Sequence, residues 1–151
     1  MIFFIKNSSF LFAMANFWNL VDNVIAEADI ILMVVDARVI AQTRNAEIER
    51  KVAASKKTLI TVINKCDLVE KEFLDRYKRR LQPCVFVSAQ KFFGMTMLRR
   101  MILRYSNGQH VTVGVVGYPN TGKSSIINSL KGRASAGVSS VSGYTKGNQN
   151  I

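Results

Sequence analysis

Only two cysteines and one histidine occur among 151 residues, and Cys66, Cys84 and His110 form no ligand spacing. A disulfide framework, a zinc site and a C-x-x-C redox motif are therefore excluded. The two thiols read as small, reduced core residues, which suits a cytoplasmic protein. With 2 Pro and 9 Gly the chain is neither collagenous nor of low complexity. No apolar run approaches the roughly 18 residues a bilayer span requires, so no membrane role is expected. The stretch 1–13 is apolar, but its single charge, Lys6, follows the first apolar residues, and Asn7, Ser8 and Ser9 interrupt it, unlike a secretory signal. It reads as an N-terminal extension ahead of a domain over 14–151, with Met14 as an alternative natural start. Acidic residues are scarce as well. Ten Asp and Glu against 21 Lys and Arg give a formal charge of +11, a field that attracts polyanions such as nucleotides and RNA.

What remains is a globular composition, 48% hydrophobic, with a regular alternation of patterns. Phe17, Leu20, Val21, Val24, Ile25 and Ala28 recur at helical spacing, predicting a helix from Asn16 to Glu27. Ile30 to Val35 is wholly apolar and mostly β-branched, as in a strand buried on both faces of a parallel sheet. Further strands are expected at Thr58–Ile63, Cys84–Val87 and Val111–Val116, alternating with helices near 45–55, 70–81, 94–105 and 123–130. Strand and helix in alternation argue for an α/β fold with right-handed crossovers, whose ligands bind at the carboxyl ends of the strands. From Gly132 to Ile151 the sequence turns to Gly, Ser, Asn and Thr and reads as a loop with no further strand.

The polar motifs fall at those strand ends. Gly117-Tyr118-Pro119-Asn120-Thr121-Gly122-Lys123-Ser124 satisfies G-x-x-x-x-G-K-S directly after a strand and opens a helix. Its backbone N–H groups can wrap a phosphate chain, Lys123 can reach the β- and γ-phosphates, and the Ser124 hydroxyl can ligate Mg²⁺. Asn64-Lys65-Cys66-Asp67 reads the base. A carboxylate at Asp67 accepts the ring N–H and the exocyclic amine that guanine offers and adenine does not. Asn64 would tie this loop to the phosphate loop, and the Lys65 stem would cover one face of the base. In Ser88-Ala89-Gln90, the Ala89 N–H could donate to the guanine keto oxygen.

The order N-K-x-D, S-A-x, then G-x-x-x-x-G-K-S is a rotation of the order in ordinary small GTPases. It resembles the circularly permuted GTPases of the YlqF-like ribosome-assembly group. Asp36-Ala37-Arg38 with Arg44-Asn45 is similar to that group's D-A-R-x-P-x-x-x-R-N segment, although Ile40 stands where proline is usual and Gln90 replaces a common lysine. The likeness runs from about Asn16 to Thr145. It implies a three-layer P-loop NTPase-type sheet, mostly parallel, circularly permuted and incomplete. It implies GTP or GDP with Mg²⁺, held by Asn64, Lys65, Asp67, Ser88, Ala89 and Gln90 at the base and by Pro119, Asn120, Thr121, Gly122, Lys123, Ser124 and Ser125 at the phosphates. Lys123 and Thr145 are the implied catalytic residues, Ser124 and Thr145 the Mg²⁺ ligands, with Thr145 in the switch-like segment Gly143-Tyr144-Thr145-Lys146. Asn120 is an implied K⁺ ligand. Ribosomal RNA or a pre-ribosomal particle is the implied partner in large-subunit assembly.

The group's D-x-P-G motif is missing, since none of Asp22, Asp29, Asp36, Asp67 or Asp75 has Gly three residues later. The sequence therefore reads as a truncated GTPase domain of four strands, or as a guanine-nucleotide-binding remnant that does not hydrolyse GTP, or as an RNA-binding module. Val111–Val116 would then be an open edge able to pair with a second copy. The basic groups Lys56-Lys57, Lys78-Arg79-Arg80, Arg99-Arg100 and Arg104 read either as solvated helix ends or as an RNA-facing surface. Phe92 and Phe93, beside Lys91, are expected in the core, with base stacking as the alternative. Trp18, Met95, Met97 and Met101 are also expected in the core, and His110 at a strand edge.

Overall fold

The computed structural model describes residues 10–131 and the strand at 138–142. Five parallel strands, β1 (Ile30–Asp36), β2 (Thr58–Asn64), β3 (Cys84–Phe86), β4 (Val111–Val116) and β5 (Val138–Ser142), lie in the order β3-β2-β1-β4-β5. The chain steps outward from β1 to β3, then returns to place β4 on the other side of β1. The strand order therefore reverses between β1 and β4, and the carboxyl ends of these two strands flank the crevice where such sheets bind ligands.

Helices cover both faces, which is why β1 is buried along its whole length and carries no polar alternation. On one face α1 (Phe10–Glu27), α3 (Ala46–Ala54) and α4 (Lys71–Lys78) close over Ile31, Met33 and Val35. On the other, α5 (Met95–Ser106) and α6 (Lys123–Lys131) close over Ile30, Leu32 and Val34. The expected three-layer α/β architecture is present. α1 approaches β4 so closely that a Cβ at Gly114 would lie 2.5 Å from Val24 Cγ1, so only glycine admits the helix there.

Local chemistry sets several boundaries. Asn45 caps α3, its side-chain oxygen accepting from the N–H groups of Glu47 and Ile48 at 3.0 and 3.1 Å. At the far end of α1, Lys57 Nζ donates to the carbonyls of Ile25 and Ala26, two of the acceptors a helix terminus leaves open. The short helix α2 (Ile40–Thr43), absent from the sequence reading, buries Ile40 and caps its own end through Thr43 Oγ1 to Val39 O.

Several expectations are corrected. The segment after Gly132 contains β5, which pairs with β4 from Val111↔Val138 to Gly114↔Ser142. β4 is thus an inner strand, the sheet has five strands instead of four, and the dimer argued from an open β4 edge loses its basis. α1 begins at Phe10, ahead of Asn16, and runs across position 14. Phe92 and Phe93 are exposed, at 73% and 62%, because the turn that carries them projects beyond the sheet end. Met97 is exposed as well, whereas Met95 is buried and Met101 and Trp18 are partly buried. Cys66 is buried but Cys84 only half so, and burial raises both thiol pKa values. His110 is exposed immediately before β4.

Candidate nucleotide site

The carboxyl ends of β1, β2, β3 and β4 bring Asp36, Asn64, Ser88 and the loop Gly117–Gly122 to one rim of the sheet. Two of them are in register, Asp36 pairing with Asn64 across β1 and β2. A cleft of about 700 Å³ opens there, with Asn64, Lys65, Asp67, Ala89, Gly122 and Ser125 in its wall. Ser88 and Gln90 also line it, and beyond them the cleft extends between α5 and α6, past Met95, Thr96 and Arg99.

Asn64 is the hinge of the arrangement. Its Nδ2 donates to the Thr121 carbonyl at 2.9 Å and its Oδ1 accepts from the Ala89 N–H at 3.1 Å, so one buried amide joins three loops. The Ala89 N–H, expected to face the guanine keto oxygen, is committed to Asn64 instead. Gly122 makes this contact possible. A Cβ there would sit 2.2 Å from Asn64 Nδ2, and its φ of 96° is a conformation side-chain-bearing residues rarely adopt.

Lys65, at φ 62°, reaches across to the phosphate loop, where its Nζ donates to Asn120 O at 2.6 Å and pairs with Asp36 Oδ2 at 3.1 Å. Asp36 is buried and also accepts from the Arg38 backbone N–H, Nε and a terminal guanidinium nitrogen at 2.9, 3.0 and 2.8 Å. The Arg38 guanidinium first, then the Lys65 ammonium, hold its carboxyl well below the usual carboxylate range. Asp67 is likewise held low, chiefly by the Ser88 hydroxyl and further by Lys91, whose Nζ lies 3.5 Å away. It stays an anion at neutral pH, the state a carboxylate needs to accept two N–H donors.

In the phosphate loop the Tyr118 carbonyl accepts from Thr121 Oγ1 at 2.9 Å and from Lys123 Nζ at 2.6 Å. Lys123 is buried, and burial pushes its ammonium from 10.5 down to about 8. A buried cation without a carboxylate among its hydrogen-bond partners is poised for an anionic ligand. Pro119, Asn120, Ser124 and Ser125 are exposed, with Asn120 at φ 65°. The side chain of Ser124 remains accessible to an ion at the start of α6. Thr145 and the segment 143–146 lie outside the described residues, so the second implied Mg²⁺ ligand has no described position. Among the described residues no group of three or more His, Cys, Asp and Glu is clustered for a metal.

Sequence reasoning missed two contacts. The Asp36–Lys65 pair had a signal in D-A-R at a strand end, but its partner lies 29 positions along the chain and only the β1–β2 register joins them. The Asn45 Nδ2 to Tyr118 Oη bond, 3.1 Å, ties the start of α3 to the phosphate loop, and no local pattern announces it.

Comparison with known proteins agrees with this geometry. The family model described as the Elongation factor Tu GTP binding domain matches residues 14–107, and the 50S ribosome-binding GTPase model matches 112–151. An uncharacterized GTP-binding protein of Methanocaldococcus jannaschii is 48% identical over 134 residues, spanning 86% of this chain and 36% of that protein. Nucleolar GTP-binding protein 2 of Neurospora crassa is 40% identical over 140 residues, 85% of this chain and 23% of the relative. The chain thus spans about a quarter to a third of the curated relatives it matches. GNP-bound YlqF from T. maritima superposes with a TM-score of 0.57 at 25% identity, covering 80% of this chain and 49% of that one. With the Asn64–Asp67 and Ser88–Gln90 loops preceding the G-x-x-x-x-G-K-S loop in sequence and meeting it in space, the chain belongs to the circularly permuted, YlqF-like P-loop GTPases.

Proposed function

We propose that this GTP-binding GTPase domain serves assembly of the large ribosomal subunit, loading GTP or GDP into the cleft and gripping ribosomal RNA or a pre-ribosomal particle in the GTP state. The observation that carries the nucleotide part is the Asn64 amide, which locks the base-reading loop to the phosphate loop through Thr121 O at 2.9 Å. Lys65, Asp67, Ser88 and Gln90 would hold the base, and Asn64, bonded to the Ala89 N–H and the Thr121 carbonyl, would set the loops that carry them. Pro119, Asn120, Thr121, Gly122, Lys123, Ser124 and Ser125 would hold the phosphates, Ser124 with Thr145 would hold Mg²⁺, and Asn120 a K⁺ ion. The donor set fits, because a glycine-walled loop with a buried lysine ammonium, bonded to a carbonyl and to no carboxylate among the described residues, answers a polyphosphate better than any neutral ligand. Mg²⁺ would supply charge neutralisation between the phosphates. The chain's own part is to orient them with backbone N–H groups and to set the Lys123 proton at Nζ.

The ribosomal part is supported by the names of the relatives, nucleolar in several fungi, and by exposed Lys78, Arg79, Arg80, Arg100 and Arg104 in a chain of charge +11. In eukaryotic relatives the nucleolus, and in a prokaryote the cytoplasm, is the compartment that this role implies. Co-sedimentation of the protein with large-subunit precursor particles tests it. Retention with a non-hydrolysable GTP analogue and release with GDP is the expected result, and equal behaviour with both nucleotides, or no retention, overturns it.

A further inference from the structure

The turn between β3 and α5 carries a bulky side chain in a conformation that suits glycine. Phe92 has φ 56°, in the left-handed region, where a large L-residue is a genuine outlier. The fold gives the ring nothing in return, since Phe92 is 73% exposed. The turn is nonetheless held firmly. Ser88 and Phe93 exchange both backbone hydrogen bonds at 3.0 Å, Phe92 N–H reaches Ala89 O at 3.4 Å, and Lys91 N–H reaches Ser88 Oγ at 3.3 Å. Gly94 then presses onto β3, where a Cβ would lie 2.2 Å from Phe86 O. A strained backbone that is over-determined by its surroundings points to a use for the side chain it carries. Of the two exposed rings only Phe92 is in the wall of the cleft, beside Asp67 and Ala89, and Phe93 is not.

We propose that Phe92 is the aromatic wall of the base end of the cleft, stacking on the purine whose edge Asp67 reads. The proposal rests on the guanine-nucleotide reading above and adds a residue to it. Stacking is indifferent to the identity of the base, because every base presents a π-face. Phe92 therefore supplies affinity and Asp67 supplies selectivity, and the two roles separate by experiment.

GDP and ADP affinities are measured by displacement of a fluorescent nucleotide for the full chain and for Phe92→Ala, Phe92→Gly, Phe93→Ala and Asp67→Asn. Phe92→Ala is expected to weaken GDP roughly tenfold, the equivalent of about 1.4 kcal/mol, with the GDP-over-ADP preference retained. Phe92→Gly is expected to weaken GDP equally while raising Tm, since glycine relieves the φ strain; a merely structural role for Phe92 would move affinity and Tm together. Phe93→Ala should bind GDP as the parent does. GDP affinity unchanged in both Phe92 variants, with selectivity still lost in Asp67→Asn, overturns the stacking role and leaves the guanine reading standing. Unchanged selectivity in Asp67→Asn overturns the guanine reading itself. If Phe92→Ala and Phe93→Ala both lose affinity for a single-stranded RNA oligonucleotide while GDP binding is untouched, the rings serve RNA and the proposal is wrong.

Discussion

Lys65 Nζ lies 2.6 Å from Asn120 O and 3.1 Å from Asp36 Oδ2, so one ammonium bridges the end of β1 to the phosphate loop. Asp36 is what aims it. Asp36→Asn keeps the shape but removes the charge, and it is expected to lower guanine-nucleotide affinity several-fold. The loss should shrink to nothing in a Lys65→Met background, because the two changes remove one shared interaction. A full additional loss in the double variant, read by titration calorimetry, would show that Asp36 acts elsewhere.

The same carboxylate gives an acid signature. Its folded pKa is depressed, so its contribution to stability is present above the ordinary carboxylate value of 3.8 and is lost as pH falls through and below it. Asp36→Asn should flatten that limb of the stability-against-pH curve below about pH 4, as read by urea unfolding at stepped pH.

Asn64 is buried with both ends of its amide used. Asn64→Ala strands the Ala89 N–H and the Thr121 carbonyl and is expected to cost about 1–3 kcal/mol of stability. Nucleotide affinity should fall with it. Gly122→Ala, which pushes a Cβ to 2.2 Å from Asn64 Nδ2, should reproduce the loss of nucleotide binding without removing the amide. Normal affinity in Gly122→Ala would contradict the close approach.

Lys123 sets a basic limb. Burial lowers its pKa to about 8 from 10.5, so between those values the unfolded chain binds a proton that the folded chain does not. Stability contributed through Lys123 therefore rises with pH across that window, while below it the buried charge opposes folding. Phosphate restores the proton. GDP binding above pH 8 should take up protons and weaken as pH rises, and calorimetry in buffers of different ionisation enthalpy measures the uptake. Lys123→Ala should abolish it.

A monovalent-cation role for Asn120 is testable on the intact GTPase. Turnover in K⁺ should exceed turnover in Na⁺, and Asn120→Ala should erase the difference. Identical rates in the two salts remove the role.

The layers and the order of elements were legible in the sequence because β1 is a continuous apolar run, β4 is rich in valine and the helices have clear periodicity. Asn64, Asp67 and Lys123 were legible because their motifs sit at strand ends. β5 was not, since Val138-Ser-Ser-Val-Ser has two apolar residues among hydroxyls and becomes a strand only through its pairing with β4. Nor were Phe92 and Phe93, whose apolar character reads as core until the backbone bonds of the 88–93 turn project them into solvent. The Ala89 N–H could be assigned to a base only while Asn64 Oδ1 was free, and three-dimensional contact decided otherwise.

The most direct test of the account is nucleotide competition at Asp67. Bound fluorescent GDP should be displaced by GDP and GTP at far lower concentration than by ADP or ATP, because adenine offers the charged, partly buried Asp67 carboxylate neither of the two N–H donors that guanine presents. In Asp67→Asn the preference should move from guanine to xanthine nucleotides, whose exocyclic oxygen accepts from the new amide. Equal displacement by GDP and ADP in the parent chain, or a guanine preference untouched by Asp67→Asn, would contradict it.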